Sequence, residues 1–179
     1  MAREERSRLE ALDRILRSED VRAQIQPIVE RVRADLARKR KAVMTWEPIP
    51  LNTFGSGLPS GIRSGWVFVL RAGANTGAER HPNSHQRMMS LAGSGDLQVR
   101  EDQRWQSNVL VSEMSAPLEW RWISIPQNVW HQPVVPTGAD WVVVSFHTVP
   151  AEELIEERPD SGNGGEMRQM VYLSKKDES

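Results

Sequence analysis

The sequence predicts a mainly β domain, an antiparallel sandwich or barrel, preceded by an α-helical segment. Three observations carry this. Apolar residues recur at helical spacing through the first 42 residues. The chain after Trp46 breaks into short β-type runs separated by Gly, Pro and Asn turns. The charge changes sign at the same place: residues 1–42 hold 12 of the 23 Lys/Arg and 8 of the 24 Asp/Glu, giving +4 there against −5 for the remainder.

In the helical segment, Leu9, Leu12, Ile15 and Leu16 form one apolar stripe between charged positions. Ser18 can cap a second helix, with Glu19 and Asp20 in its first turn. Ile25, Ile28, Val29, Val32 and Leu36 continue the stripe to the basic cluster Arg38-Lys39-Arg40-Lys41, which suits a helix C-terminus. Pro27 is expected to kink or break this helix, or to start a third. A stripe of this kind must be buried, against the exterior of the β domain or across a homodimer interface.

The expected strands lie at 66–71, 87–92, 96–100, 109–112, 119–125 and 141–148. Turns at Gly73–Gly77, Gly93-Ser94-Gly95 and Pro136-Thr137-Gly138 divide them. Residues 151–157 read as a short helical turn, Pro159 to Gly165 as a flexible loop, and 167–173 as one late strand before six disordered residues. This divides the chain into a helical segment (1–45), a barrel (46–157) and a C-terminal loop or tail with an extra strand (158–179).

With 179 residues, 39% apolar and 26% charged, the chain fits one domain with an appendage. It contains no cysteine, which removes disulfides, thiolate metal sites and cysteine nucleophiles, and leaves His, Asp and Glu for chemistry. A net charge of −1 gives no general attraction to nucleic acid, and no apolar stretch is long enough to span a membrane. The charged start, without the apolar stretch of a secretory signal, implies a cytoplasmic protein. All seven tryptophans follow residue 45; most are expected in the core, with Trp120, Trp122 and Trp130 able to wall a pocket mouth.

All four histidines (81, 85, 131 and 147) lie in the β region. Residues two apart on a strand face one side, so Glu79 and His81 project together, and His131 on a later strand can join them. A carboxylate with two imidazoles and open positions suits non-haem Fe(II), and also Mn, Ni or Zn. The competing reading pairs Glu79 with Arg71, Arg80 or Arg87.

The segment Gly73-x5-Glu79-x-His81-x4-Gln86-x6-Gly93 has the spacing of the first cupin motif, G-x5-H-x-H-x4-E-x6-G. Pro126-x-Asn128-x2-His131 resembles the second, P-x-G-x2-H. Glu79, Gln86 and Asn128 stand where the family has His, Glu and Gly. The resemblance covers roughly residues 65–150 and implies a cupin double-stranded β-helix, or jelly-roll, barrel. It also implies a metal site of Glu79, His81, Gln86 and His131 holding a divalent ion, Fe(II) before Zn, Ni or Mn. Within cupins the chain is most similar to the cysteine (thiol) dioxygenase type, through Glu79-Arg80-His81-Pro82-Asn83-Ser84-His85-Gln86 and Ser145-Phe146-His147. That likeness implies supporting roles for His85, His147 and Ser145. It departs at Gln86, where a cross-linking Cys is expected, and at Val149, where a Tyr completes the Ser-His-Tyr relay. The implied function is a metal-dependent dioxygenase-type oxidoreductase acting on a small molecule. The alternatives are a non-oxidative cupin lyase or isomerase, with Glu79 or His85 handling a proton, and a non-catalytic binding cupin.

Overall fold

The computed structural model describes residues 2–159 and 167–177. Two helices, α1 (Arg3–Arg17) and α2 (Glu19–Arg38), precede strands β1 (Met44–Ile49), β2 (Ser64–Leu70) and β3 (Gln86–Ala92). Then follow β4 (Ser94–Glu101), β5 (Arg104–Gln106), β6 (Val109–Val111), a helical turn α3 (Leu118–Arg121) and β7 (Trp122–Ile125). The chain continues through β8 (His131–Val134), β9 (Trp141–His147), β10 (Ile155–Pro159) and β11 (Met167–Val171).

One antiparallel sheet runs β1-β2-β9-β3-β7. In the other, β4 pairs with β5 and β6 along one edge and with β8 along the other. The segment 75–81 extends that sheet past β8 through single bridges at Asn75–Val134 and Glu79–His131. It then joins β10 through the bridge Arg80–Glu157, and β10 pairs with β11. The result is the jelly-roll barrel that the sequence predicts, with its helical segment in front.

The helices explain why β2 and β9 read as unbroken apolar runs. Trp66, Phe68 and Leu70 on β2, with Trp141 and Val143 on β9, point into the barrel. Val67, Val69, Val142, Val144 and Phe146 alternate with them and meet Leu9, Leu12, Leu16, Ile25 and Leu36 outside. A strand covered on both faces has no polar side to show. The stripe from Leu9 to Leu36 is thus buried on the barrel exterior, each fully buried leucine contributing about 1.5–3 kcal/mol. A polar clamp fixes the docking. Asp13 receives Arg121 Nη2 at 2.9 Å, Trp122 Nε1 at 2.9 Å and Arg17 Nε at 2.8 Å. Arg71 donates to the carbonyls of Leu36 (2.7 Å), Lys39 (3.0 Å) and Ala42 (2.9 Å), capping the end of α2.

Some expectations need correction. Ser18 caps α2 through its Oγ, 3.2 Å from the Val21 amide, but α2 runs through Pro27 without a third helix. Pro27 and Ala23, the residue four before it, are both exposed, so the carbonyl that Pro27 leaves without a donor faces water. Residues 119–121 form a helical turn before the strand, not part of it. The stretch 151–157 turns helical only over Ala151–Glu153 and then enters β10, because Leu154 and Glu156 alternate inward at strand period. The expected flexible loop lies, past Pro159, outside the described residues. Of the six residues expected to be disordered, 174–177 continue a 3-10 turn and the last two lie outside the description. Among the described residues no helix is long and apolar enough to cross a membrane.

Candidate metal centre

Glu79 and His131 meet because their backbones form a reciprocal pair, with amide-to-carbonyl distances of 2.8 and 2.9 Å. Directly opposed residues in such a pair present their side chains on one face, and His81 lies two residues along on the same face. Two backbone turns hold the approach. Gly73 (φ +77°) starts the segment, and Asn128 (φ +63°) precedes His131. Asn128 is the position where the resembled motif has glycine, and asparagine is among the side chains that best tolerate this left-handed region. Further on, Gly95 is needed for packing: a Cβ there would lie 2.1 Å from the Trp141 ring that walls the cavity.

The ligand atoms of Glu79, His81 and His131 all lie within 4.8 Å of one another, and all three residues are buried. His81 Nδ1 lies 2.9 Å from the Ile155 carbonyl and His131 Nδ1 lies 3.1 Å from the Val129 carbonyl. A carbonyl only accepts, so in each neutral ring Nδ1 carries the hydrogen and Nε2 presents a lone pair. Among the described residues His131 Nε2 has no hydrogen-bond partner, and it faces Glu79 Oε1 at 3.5 Å. The other carboxylate oxygen of Glu79 accepts from Arg158 Nη2. Burial opposes ionisation of Glu79, yet His131, Arg158 and His81 together hold its carboxyl well below the usual carboxylate range.

Behind this trio a directional network sets the orientation of Gln86. The Ser84 hydroxyl donates to the His85 carbonyl (3.2 Å), so it accepts from His147 Nδ1 at 3.2 Å. His147 Nε2 then accepts from Ser145 Oγ at 3.1 Å, and Ser145 accepts from Gln86 Nε2, also at 3.1 Å. The amide is thereby turned so that Gln86 Oε1, buried and without a partner among the described residues, is left as an acceptor; Gln86 lines the cavity. Burial first, then the neighbouring His81 and His131, push the His147 pKa well below its ordinary value, so the ring is a neutral relay.

The free space beside these groups is about 20 Å³, enough for an ion or a water or two. Its other walls are apolar, among them Phe68, Leu70, Met88 and Val143. Tyr172 closes one side with its ring 6.2 Å from His81, and packs edge-on against Trp46 and Trp66. Burial first, then Glu156 and Glu79, raise the Tyr172 pKa well above its ordinary value, so the phenol stays protonated.

The structure thus brings Glu79, His81, His131, Gln86, Ser145 and His147 together, and leaves His85 out. His85 sits on the opposite face of the β3 wall, where Nε2 lies 2.7 Å from Ser124 Oγ and 3.8 Å from Glu5 of α1. The reason is strand alternation: with Gln86 inward, its neighbour must face outward. The expected arginine partners of Glu79 are also elsewhere. Arg71 caps α2, Arg87 pairs with Glu5 at 2.6 Å, and Arg80 pairs with Glu157 at 2.6 Å. Nor do the three tryptophans wall the mouth. Trp122 packs under the helices, Trp120 is exposed, and Trp130 lies under the Arg80 guanidinium at 4.9 Å; Trp141 walls the cavity instead. Glu156, Arg158 and Tyr172 were missed because their segment read as turn and tail. The run Leu154-Ile155-Glu156-Glu157-Arg158 has no alternation of apolar and polar residues, so the sequence offered no local signal for the strand.

No protein-family model matches the chain, and no curated protein matches its sequence. Among solved structures, pumpkin seed globulin is similar over 66% of this chain and 28% of that one, with 19% identity and a TM-score of 0.49. Oxalate oxidase in complex with the substrate analogue glycolate is similar over 59% and 51%, with 16% identity and a TM-score of 0.44. Oxalate decarboxylase is similar over 61% and 27%, with 13% identity and a TM-score of 0.47. The chain therefore spans between about a quarter and a half of these proteins. By its own two sheets the chain is a jelly-roll barrel, with a carboxylate and two imidazoles converging inside.

Proposed function

We propose that this chain is a metal-dependent enzyme of the cupin type, a dioxygenase-type oxidoreductase acting on a small molecule. One observation carries the reading: a carboxylate oxygen and two imidazole nitrogens, a donor set suited to a divalent ion, converge within 4.8 Å of one another in a buried space. A proton on His131 would relieve one contact, whereas a divalent cation satisfies Glu79 Oε1, His81 Nε2 and His131 Nε2 at once. Gln86 Oε1 is the fourth candidate ligand. Two imidazoles, a carboxylate and an amide oxygen fit Fe(II), with Mn, Ni and Zn as alternatives.

When bound, the ion supplies a Lewis-acidic, redox-capable centre with open positions for a small molecule and O₂. The protein's own residues do the rest. Ser145 and His147 fix the amide of Gln86, the Ile155 and Val129 carbonyls fix both ligand tautomers, and the apolar wall keeps bulk water out. A second reading, a metal-binding barrel without turnover, is favoured by the small free space beside the candidate ligands, about 20 Å³. A lyase or isomerase draws less support, since His85, a proton carrier considered for it, faces α1 and Ser124.

The test is elemental analysis of the purified protein, then anaerobic titration with Fe(II) and with Mn(II), Ni(II) and Zn(II), followed by oxygen-uptake screens over small-molecule panels. One ion per chain with Fe(II)-dependent oxygen uptake is the expected result. Stoichiometric metal with no oxygen uptake favours the second reading, and no metal binding at all refutes both.

A further inference from the structure

The C-terminal segment is woven into the candidate centre more closely than a tail would be. β10 pairs with the ligand segment through reciprocal Arg80–Glu157 backbone bonds, both 3.0 Å. The Ile155 carbonyl on the same strand takes the Nδ1 hydrogen of His81. Glu156 is buried like Glu79 and His81, the Arg158 side chain turns to Glu79, and Glu157 pairs with Arg80 across the bridge.

Arg158 is held at every nitrogen. Nε donates to Glu156 Oε1 at 2.6 Å, Nη1 to the Thr76 carbonyl at 2.5 Å, and Nη2 to Glu79 Oε2. These acceptors lie on its own strand, on the turn leading to Glu79 and on Glu79 itself, so the planar fork has little freedom to rotate. A carboxylate with one oxygen held by a guanidinium presents its other oxygen more readily to a metal. Here that is Oε1, the oxygen turned toward His131.

Resting on the metal reading above, we infer that Arg158 is the positioning residue of the centre: it holds Glu79 as a one-oxygen ligand, and thereby couples docking of the strand 155–159 to metal loading. Coupling of this kind is reciprocal: whatever factor a docked strand adds to metal affinity, metal adds to strand docking. Removing Arg158 frees the carboxylate to rotate and strips a buried charge of its counter-ion. Loss of an outer partner of this sort typically costs 10–100-fold in metal affinity.

The experiment compares wild type, Arg158→Gln and Arg158→Lys in titrations with Fe(II) under nitrogen and with Mn(II), Ni(II) and Zn(II). Amide hydrogen exchange is measured on each protein with and without the ion it binds. The expected result is weakening by about 10–100-fold in Arg158→Gln, with part of the affinity regained in Arg158→Lys. In wild type, metal should slow exchange at the Arg80 and Glu157 amides about tenfold or more while β6 is unaffected, and Arg158→Gln should lose that protection. Unchanged or tighter binding in Arg158→Gln overturns the inference, tighter binding meaning that Arg158 competes with the ion for Glu79. Wild-type exchange that ignores metal overturns the coupling even if Arg158→Gln misfolds. A wild-type protein that binds none of the four ions sinks the metal reading itself, and this inference with it.

Discussion

His131→Ala separates metal ligation from ordinary core packing. His131 is 1% exposed, donates from Nδ1 to Val129 at 3.1 Å, and directs Nε2 at Glu79 Oε1, 3.5 Å away. Truncation in the metal-free protein removes buried ring packing, at about 2–4 kcal/mol, and one hydrogen bond, at about 0.5–1.5 kcal/mol. It also relieves about 1–3 kcal/mol of unsatisfied desolvation. The metal-free variant should therefore be about 0–4.5 kcal/mol less stable, centred near 2 kcal/mol, and still folded. With metal at about 100 times the wild-type Kd, linkage adds about 2.7 kcal/mol to the wild type. For a chain of 179 residues this raises Tm by about 5–11 °C. If the variant binds about 100-fold more weakly, the same metal adds about 0.4 kcal/mol, a shift of about 1–2 °C. Differential scanning fluorimetry with and without metal reads both numbers. A variant that keeps the full wild-type shift shows that His131 is not a ligand and that the convergence of lone pairs has been misread.

His85→Ala is the matching control. Its ring faces Ser124 and Glu5, so isothermal titration should show metal affinity within about twofold of wild type; a loss of tenfold or more would return His85 to the centre. Asp13→Asn tests the seam between helices and barrel. It leaves Arg121 buried without its counter-ion and should cost about 3–5 kcal/mol in urea unfolding near neutral pH. Burial opposes ionisation of Asp13, but Arg121, Trp122 and Arg17 hold its carboxyl below the usual range. A depressed carboxyl contributes stability above its unfolded pKa of about 3.9 and loses it as pH falls toward the folded value. The gap between wild type and variant should therefore close below about pH 4, and a gap that stays constant into acid would contradict the ion-pair origin.

Much of the fold was readable because period and punctuation agree along this chain. The stripe from Leu9 to Leu36 fixed the helices, and turn residues around Gly73, Gly93 and Pro136 fixed the strand breaks. Glu79, His81 and His131 were legible because strand alternation and motif spacing point the same way. Two kinds of information were not. Runs such as Glu152-Glu153-Leu154-Ile155-Glu156-Glu157 satisfy helical and extended patterns equally, and only pairing with Arg80 decides for the strand. The partner of Glu79 was unreadable because ion pairs depend on which faces close together. Arg80, adjacent in sequence, is turned outward by alternation, while Arg158 crosses from a strand 79 residues away.

That distant arginine also bears on why the centre tolerates a glutamate where the resembled motif has histidine. Glu79 and Glu156 share one guanidinium, that of Arg158, and Tyr172 keeps its proton. Two acids gathered on one guanidinium favour a cation beside Glu79. A glutamate ligand cancels one of a divalent ion's two charges, whereas three neutral imidazoles would leave both to be carried into an apolar barrel. The glutamate thus lowers the electrostatic cost of loading a cation, and Arg158 keeps the two acids from repelling each other while the cavity is empty. Glu79 and Arg158 are on this account one device, and a substitution at either should be felt through the other.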